Sequence, residues 1–333
     1  MNFSVIIPAY QAAAVLPRCL RALQQQTIEQ AQYEIIVVDD GSSDGTAEVA
    51  EQALRDFAAA QIIRAKHGGP ASARNLGARE AQGDVLLFTD ADCEPVPGWI
   101  EQFARVFADP LVSGAKGAYG TRQRSLVARF VQQEYLERYD HTSRQTSIDF
   151  IDTHSAGYRR DIFTKYHGFD AVFFPTAAVE DQEFSFRLAT RGHRLAFAPE
   201  ALVYHQHPTT LTRYFRRKYN IGHWKMYLLK RYPDKARRDS HTPQLVKVQI
   251  VILATALAGT LGAVLLPIGL LLPIGLWILY GLTLLSLLIK IARRDPPVLL
   301  VAPIMIFIRT LALGLGLLTG ALRFHIFQRK PAM

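Results

Sequence analysis

The N-terminal part of the chain alternates between two hydrophobic periods. Short β-rich apolar runs at 4–7, 33–38, 61–64 and 85–88 are separated by stretches with helical spacing at 13–25, 46–59 and 71–81. In the first helical stretch Val15, Leu16, Leu20 and Leu23 fall on one face. The apolar runs are of strand length, and Val85 to Phe88 has no polar position at all, which predicts a strand covered on both faces. Strand and helix alternate three times. This predicts βαβ winding, an α/β fold whose mostly parallel sheet carries helices on its faces.

The polar residues that break the pattern fall at the strand ends. Pro8-Ala9-Tyr10 stops the first strand, and Asp39-Asp40-Gly41-Ser42 closes the second. Gly69-Pro70 opens the helix that carries Arg74 and Asn75, and the fourth strand runs into Thr89-Asp90-Ala91-Asp92. Carboxylates buried beside an apolar strand without partners are costly, so Asp90 and Asp92 are expected where the chain turns outward. In open α/β sheets that edge, beyond the carboxyl ends of the strands, is where ligands bind. Two hard oxygen donors there suit Mg2+ or Mn2+, and those ions suit phosphate oxygens. An isolated Asp-x-Asp is more often turn chemistry; the polar ends of the other strands shift the reading towards a site. The first strand is not followed by Gly-x-Gly-x-x-Gly, so a Rossmann-type dinucleotide site is not expected.

Beyond about residue 245 the pattern changes again. Residues 248–266 and 270–289 are near-uncharged and long enough to span a bilayer. Pro267-Ile268-Gly269 is expected to be a tight break between them, and Pro273 to kink the second. A third apolar run, 298–322, has Arg309 midway. An intramembrane Arg is costly and is either paired or functional, so two spans and three both stay open. If the third run crosses fully, Arg309 becomes a candidate to hold a lipid phosphate. Residues 213–247 are dense in Lys and Arg, interleaved with aromatics such as Trp224. The net charge of +9 suits either nucleic acid or an anionic membrane. The spans that follow favour membrane lipids, and no nucleic-acid partner is expected. Basic residues flank both outer ends of the apolar hairpin, which predicts a cytoplasmic (inner) membrane location with the N-terminal α/β domain facing the cytoplasm. Three regions are expected: 1–212, a basic interface segment 213–247, and a membrane region 248–333. Two cysteines, Cys19 and Cys93, give neither a disulfide framework nor a zinc-site spacing, and a reducing compartment is the expectation. The first residues enter a strand pattern directly, with no secretory signal expected.

Taken together, Val5-Ile6-Ile7-Pro8-Ala9-Tyr10, Ile36-Val37-Val38-Asp39-Asp40-Gly41-Ser42, Gly69-Pro70-Ala71-Ser72-Ala73-Arg74-Asn75, Phe88-Thr89-Asp90-Ala91-Asp92 and Glu180-Asp181 resemble the ordered motifs of family 2 glycosyltransferases over residues 3–210. The resemblance implies a GT-A fold with C-terminal transmembrane helices. It also implies inverting transfer of one sugar from a UDP- or GDP-sugar to a membrane-associated acceptor, a lipid or glycan precursor, with Mg2+ or Mn2+ as cofactor. Residue by residue, it implies that Asp92 ligates the metal and that Asp90 reaches the ribose, or the metal through water. Asp40 would accept a hydrogen bond from the nucleobase, Pro8 and Tyr10 would line its pocket, and Arg74 would contact base or phosphate. Asp181 would be the catalytic base. Its own position, in the first turn of a helix expected to continue through 182–190, suggests that the macrodipole favours the ionised form a base requires. The alternative is that Glu180 and Asp181 only cap that helix.

Four further positions are open at this level. Asp39 either holds its turn or joins the site. His154 touches acceptor or phosphate, or is a satisfied loop histidine. His205, the metal-ligand candidate, and His207 would share one side if the preceding strand continued through them. The Gln-x-x-Arg-Trp signature of processive members is absent from 213–224, which favours single-sugar addition. A glycoside hydrolase, which would also use two carboxylates but needs neither metal nor nucleotide, a processive polysaccharide synthase and a non-catalytic membrane scaffold are the rival readings.

Overall fold

The computed structural model describes residues 1–174, 179–236, 243–265 and 270–326. These divide into two compact units. One comprises residues 1–122 and 139–206; the other comprises 123–138 and the described residues of 207–326.

The first unit is built on one sheet. Among the described residues its strands are β1 (Phe3–Ala9), β2 (Tyr33–Asp39), β3 (Ala60–Arg64), β4 (Val85–Phe88), β5 (Glu94–Pro95), β6 (Val112–Gly120), β7 (Ala156–Arg159) and β8 (Arg194–Tyr204), in the order β3-β2-β1-β4-β7-β6-β8-β5. β1 pairs in parallel with β2 and β4, and β2 with β3. The crossover helices α1 (Leu16–Gln24), α2 (Thr46–Ala53) and α3 (Pro70–Glu80) make this possible, as the alternating pattern predicts. All four β4 residues are fully buried, which is why the run carries no polar position. Helix α2 stops at Ala53, short of the expected 59, and Leu54 and Phe57 turn inward to bury, Phe57 against the Tyr33 ring at 5.4 Å.

Beyond β4 the sheet becomes mixed. β7 lies antiparallel between β4 and β6, and β8 runs parallel to β6. The consequence for function is directional. The chain leaving β1, β2, β4 and β8 emerges at one edge, and the segment entering β7 starts at that same edge, with Phe88 opposite Ala156. The rings of Phe88, Tyr158, Phe163, Phe169 and Phe184 form an edge-to-face cluster, the last on α7 (Glu180–Ala189) at 5.1 Å from Tyr158. This packing fixes the helix that carries Asp181.

The second unit contains residues 126–138 of α5 (Leu126–Thr142), then α8 (Leu211–Arg231), α9 (Gln244–Leu265), α10 (Leu271–Arg294) and α11 (Ala302–Ala321). Residues 123–138 thus group with the C-terminal helices, a division the linear reading at 212 and 247 did not anticipate. Three described helices, covering Gln244–Val264, Leu271–Arg294 and Ala302–Phe324, are long and apolar enough to cross a membrane. Pro273 falls in the first turn of α10, where no intrahelical N–H bond is lost, so the expected kink is not needed. The expected break at 267–269 lies outside the described residues.

Helix α11 lies directly on α8. A Cβ at Gly316 would stand 2.2 Å from the Tyr219 carbonyl oxygen, so only glycine permits the crossing. Arg309 is paired: its guanidinium donates to Glu134 Oε1 at 3.3 Å and Gln249 Oε1 at 2.9 Å. Lys218 Nζ approaches the other Glu134 oxygen at 2.8 Å. Burial alone would raise the Glu134 carboxyl, but Lys218 and Arg309 reverse this and hold it down at about 2. This shared charge explains why the α5 segment belongs with α8 and α11.

Candidate active site

The end of β2 builds a small acceptor-rich pocket. Asp40 is buried, and its carboxylate accepts the backbone N–H groups of Gly68 at 2.8 Å and Gly69 at 2.9 Å. His67 Nδ1 stands 2.9 Å from Asp40 Oδ2, and the His67 ring stacks on Tyr10 with centroids 4.3 Å apart. Gly41 at φ +78° allows this closure, since a Cβ there would meet the His67 backbone nitrogen at 2.9 Å. Tyr10 is half exposed at the end of β1, and Pro8 is partly buried on β1 itself. Asp39 accepts from the Ser42 N–H at 3.1 Å and so holds the turn. An exposed aromatic face beside a carboxylate with spare lone pairs can take a flat, hydrogen-bonding ring.

The end of β4 carries the densest network. Asp90 Oδ1 accepts from Arg74 Nη2 at 2.7 Å, and Asp90 Oδ2 lies 2.6 Å from His154 Nδ1. Burial works against the Asp90 anion, but Arg74 and His154 outweigh it and hold the carboxyl far below the usual range. Arg74 is itself buried on α3 and donates its other terminal nitrogen to Glu180 Oε1 at 3.2 Å. Both of its terminal nitrogens are therefore engaged with carboxylates. Asn75, its neighbour, is structural: it donates to the Phe169 carbonyl at 2.7 Å and accepts the Phe169 N–H at 2.9 Å.

His154 is held through its backbone, whose carbonyl accepts the Thr89 hydroxyl at 2.9 Å. Its ring packs on His205 with centroids 4.2 Å apart. β8 ends at Tyr204, and the His205 N–H bonds to the Gly120 carbonyl at 3.0 Å. The strand does not continue, so the alternation that would pair His205 with His207 does not apply. His207 belongs to the second unit and stacks on Tyr135 at 5.4 Å. Asp92 sits in the turn beyond β4, with the Cys93 sulfur 3.9 Å from its Oδ1.

Asp181 lies in the first turn of α7 beside Glu180. The expectation from the macrodipole reverses here. Burial, then the charges of Glu180 and Asp152, push its carboxyl up to about 7, with only partial relief from Arg74 and the Gln182 N–H. Ser185 ties α7 to the segment entering β7 by accepting the Ile151 N–H at 3.0 Å. Next along that segment, Asp152 Oδ2 accepts from Lys116 Nζ at 2.8 Å, while Asp152 Oδ1 is buried with no hydrogen-bond partner among the described residues. Residues 175–178, before α7, lie outside the described residues.

The structure therefore brings Asp90, Arg74, His154 and His205 into one connected group and links Asp181 to it through Glu180. Asp40, Tyr10 and Pro8 stand at the neighbouring strand ends of the same edge. Two participants were not singled out by sequence reasoning. His67 was legible only as a loop residue before Gly68-Gly69, and Lys116 only as one cation within a small-residue strand.

Residues 4–167 match the family model described as glycosyl transferase family 2. The chain belongs to that family. Among curated relatives, glycosyltransferase AglE of Haloferax volcanii is 30% identical over 212 residues, which is 61% of this chain and 66% of the relative. The O-antigen chain rhamnosyltransferase RfbN of Salmonella typhimurium is 28% identical over 238 residues, 67% of this chain and 72% of the relative. The chain spans about half the length of a third, the pre-mycofactocin glycosyltransferase of Mycobacterium tuberculosis, at 29% identity and 70% of this chain. The mannosyltransferase PcManGT of Pyrobaculum calidifontis, solved with GDP-Man and Mn2+, shares the fold with a TM-score of 0.65 at 18% identity, covering 96% of this chain and 86% of that one. The sheet and flanking helices of the first unit are those of a GT-A family 2 domain.

The donor atoms present fit a divalent cation of the kind the family implies. Among the described residues no three His, Cys, Asp or Glu side chains form a ready-made metal cage. Mg2+ and similar ions are usually held by one or two carboxylates, with water and substrate phosphates completing the shell. Asp92, in the turn beyond β4, and His205, just past β8, carry donor types of that kind at the same sheet edge.

Proposed function

We propose that this family 2 chain moves one sugar, with inversion, from a nucleotide-diphosphate sugar to a membrane-associated acceptor. The observation that carries the reading is the convergence of three chemically different groups at one sheet edge. Asp40 with Tyr10 and His67 suits a nucleobase. Asp90, locked as an anion by Arg74 and His154, suits the ribose hydroxyls. Asp181, raised into the neutral range, suits a general base. Asp92 and His205 would hold Mg2+ or Mn2+, whose chemistry there is Lewis-acid stabilisation of the departing diphosphate. The GDP-Man and Mn2+ bound to the solved mannosyltransferase support a nucleotide-sugar donor and a divalent cation.

The step itself balances simply. Asp181 takes the proton of the acceptor hydroxyl as that oxygen bonds to the anomeric carbon from the face opposite the diphosphate. The carbon–oxygen bond to the diphosphate breaks, and a nucleoside diphosphate leaves. Asp152 Oδ1, buried and without a hydrogen-bond partner among the described residues, offers a second acceptor for a substrate hydroxyl close to Asp181. Arg74 acts as a positioning residue, since one guanidinium links the donor-side carboxylate to the residue preceding the base. The three apolar helices support a cytoplasmic-membrane location and a lipid or lipid-linked glycan acceptor, because acceptor and enzyme then share one bilayer. The missing Gln-x-x-Arg-Trp signature supports single addition over processive synthesis.

The test is a panel of UDP- and GDP-sugars scored for nucleoside diphosphate release, with and without membrane lipid extract and with and without chelator. Release with one donor that depends on lipid extract and on Mn2+ or Mg2+ is expected. No release with any donor, or release unaffected by chelator, contradicts the reading.

A further inference from the structure

The second unit encloses a cavity of about 130 Å3 whose walls are chemically divided. Arg138 from α5, Lys225 from α8, Lys247 from α9 and Arg309 from α11 supply cations. Ile250, Leu313 and Leu317, from two helices of span length, supply an apolar wall. Two carboxylates also line it, Glu134 and Glu137. Glu134 is already engaged by Lys218 and Arg309, and Glu137 lies 3.6 Å from Lys290 Nζ. The lining carries four cations and two acids.

One donor is left over. Arg309 spends its terminal nitrogens on Glu134 and Gln249, but its buried Nε has no hydrogen-bond partner among the described residues. A buried N–H on a charged group left unsatisfied is costly, so an acceptor is expected beside it. Lys247 stands in the first turn of α9, at the end of a span, where headgroups and long cationic side chains meet.

We propose that this cavity binds the phosphate headgroup of an anionic bilayer phospholipid, with the start of its acyl chain against Ile250, Leu313 and Leu317. The volume fits that partial occupancy: it is below the roughly 300–1,000 Å3 of a site that swallows a whole small molecule. The cations meet the phosphate, the apolar wall meets methylenes, and Arg309 Nε gains the missing acceptor. A bilayer lipid is favoured over an isoprenoid-phosphate sugar acceptor because Lys247, Ile250, Leu313 and Leu317 all stand on helices of span length, where bilayer headgroups and acyl chains are always present. The inference does not rest on the sugar-transfer reading, and its readout is binding alone.

The test uses the full-length protein in detergent, stripped of lipid and followed by native mass spectrometry. The probes are phosphatidylglycerol, phosphatidylcholine with the same chains, a polyprenyl monophosphate and inorganic phosphate. Phosphatidylglycerol is expected to be retained in preference to phosphatidylcholine and not to be displaced by inorganic phosphate. Leu317→Trp, which fills the apolar part, is expected to remove most of that retention. Lys247→Gln, at a helix end where folding is less at stake, should weaken it about fivefold. Equal retention of phosphatidylcholine, displacement by inorganic phosphate, preference for the polyprenyl phosphate, or unchanged binding in both variants would each overturn the proposal.

Discussion

Asp90 and Asp181 are two carboxylates of one site held in opposite states. Asp90 faces a buried guanidinium and an imidazole, and both favour its anion over the cost of burial. Asp181 meets the same guanidinium only as a nearby charge, too weak to offset burial and the like charges of Glu180 and Asp152. One becomes a permanent anion and the other a group that changes protonation near neutrality. The difference teaches that the acid–base assignment is set by where Arg74 spends its hydrogen bonds, more than by helix position. Pairs of titratable groups pushed apart in this way are the usual sign of divided catalytic labour.

That contrast can be broken most severely at the base. Asp181→Asn should lower turnover by about 10²–10⁴-fold, the usual contribution of a positioned general base. Calorimetry should find nucleotide binding near normal in the same variant. Loss of the cation should rank next. Chelator should abolish release of nucleoside diphosphate, and Mn2+ or Mg2+ should restore it, as rate measurements before and after readdition will tell.

Arg74→Met removes the shared cation and leaves Asp90 and Glu180 buried without it. Breaking such a pair costs about 3–5 kcal/mol, so a clear drop in Tm is expected. Activity in the protein that remains folded should fall through both donor KM and kcat, because the guanidinium serves both carboxylates. An effect on KM alone would assign Arg74 to donor contact only. The smallest effect is the sharpest. Asp152→Asn deletes one like charge beside Asp181, so the acid limb of the rate profile should move to lower pH by a fraction of a unit. A shift to higher pH would mean that Asp152 lowers rather than raises the Asp181 carboxyl.

Much of the framework was legible from periodicity. The uninterrupted apolar run Val85–Phe88 is a fully buried central strand, and the polar groups at the ends of β1, β2 and β4 do share an edge. Pairings across long sequence separation were not legible. Glu180 lies 106 residues from Arg74, and no spacing rule joins them. A solvated helix start would favour an ionised Asp181; burial next to Glu180 reverses that preference. The grouping of residues 123–138 with the C-terminal helices was hidden for the same reason. It depends on Glu134 meeting Lys218 and Arg309, far along the chain.

The most direct test of the central claim is the pH dependence of kcat/KM for sugar transfer at saturating metal. Asp181 carried up to about 7 is protonated at lower pH and cannot accept the acceptor's proton. The rate should therefore rise with pH through one ionisation near 7, falling about tenfold per unit below it, while nucleotide affinity stays flat over the same range because Asp90 remains ionised. A limb centred near the ordinary carboxylate range, or one that persists unchanged in Asp181→Asn, would contradict the account.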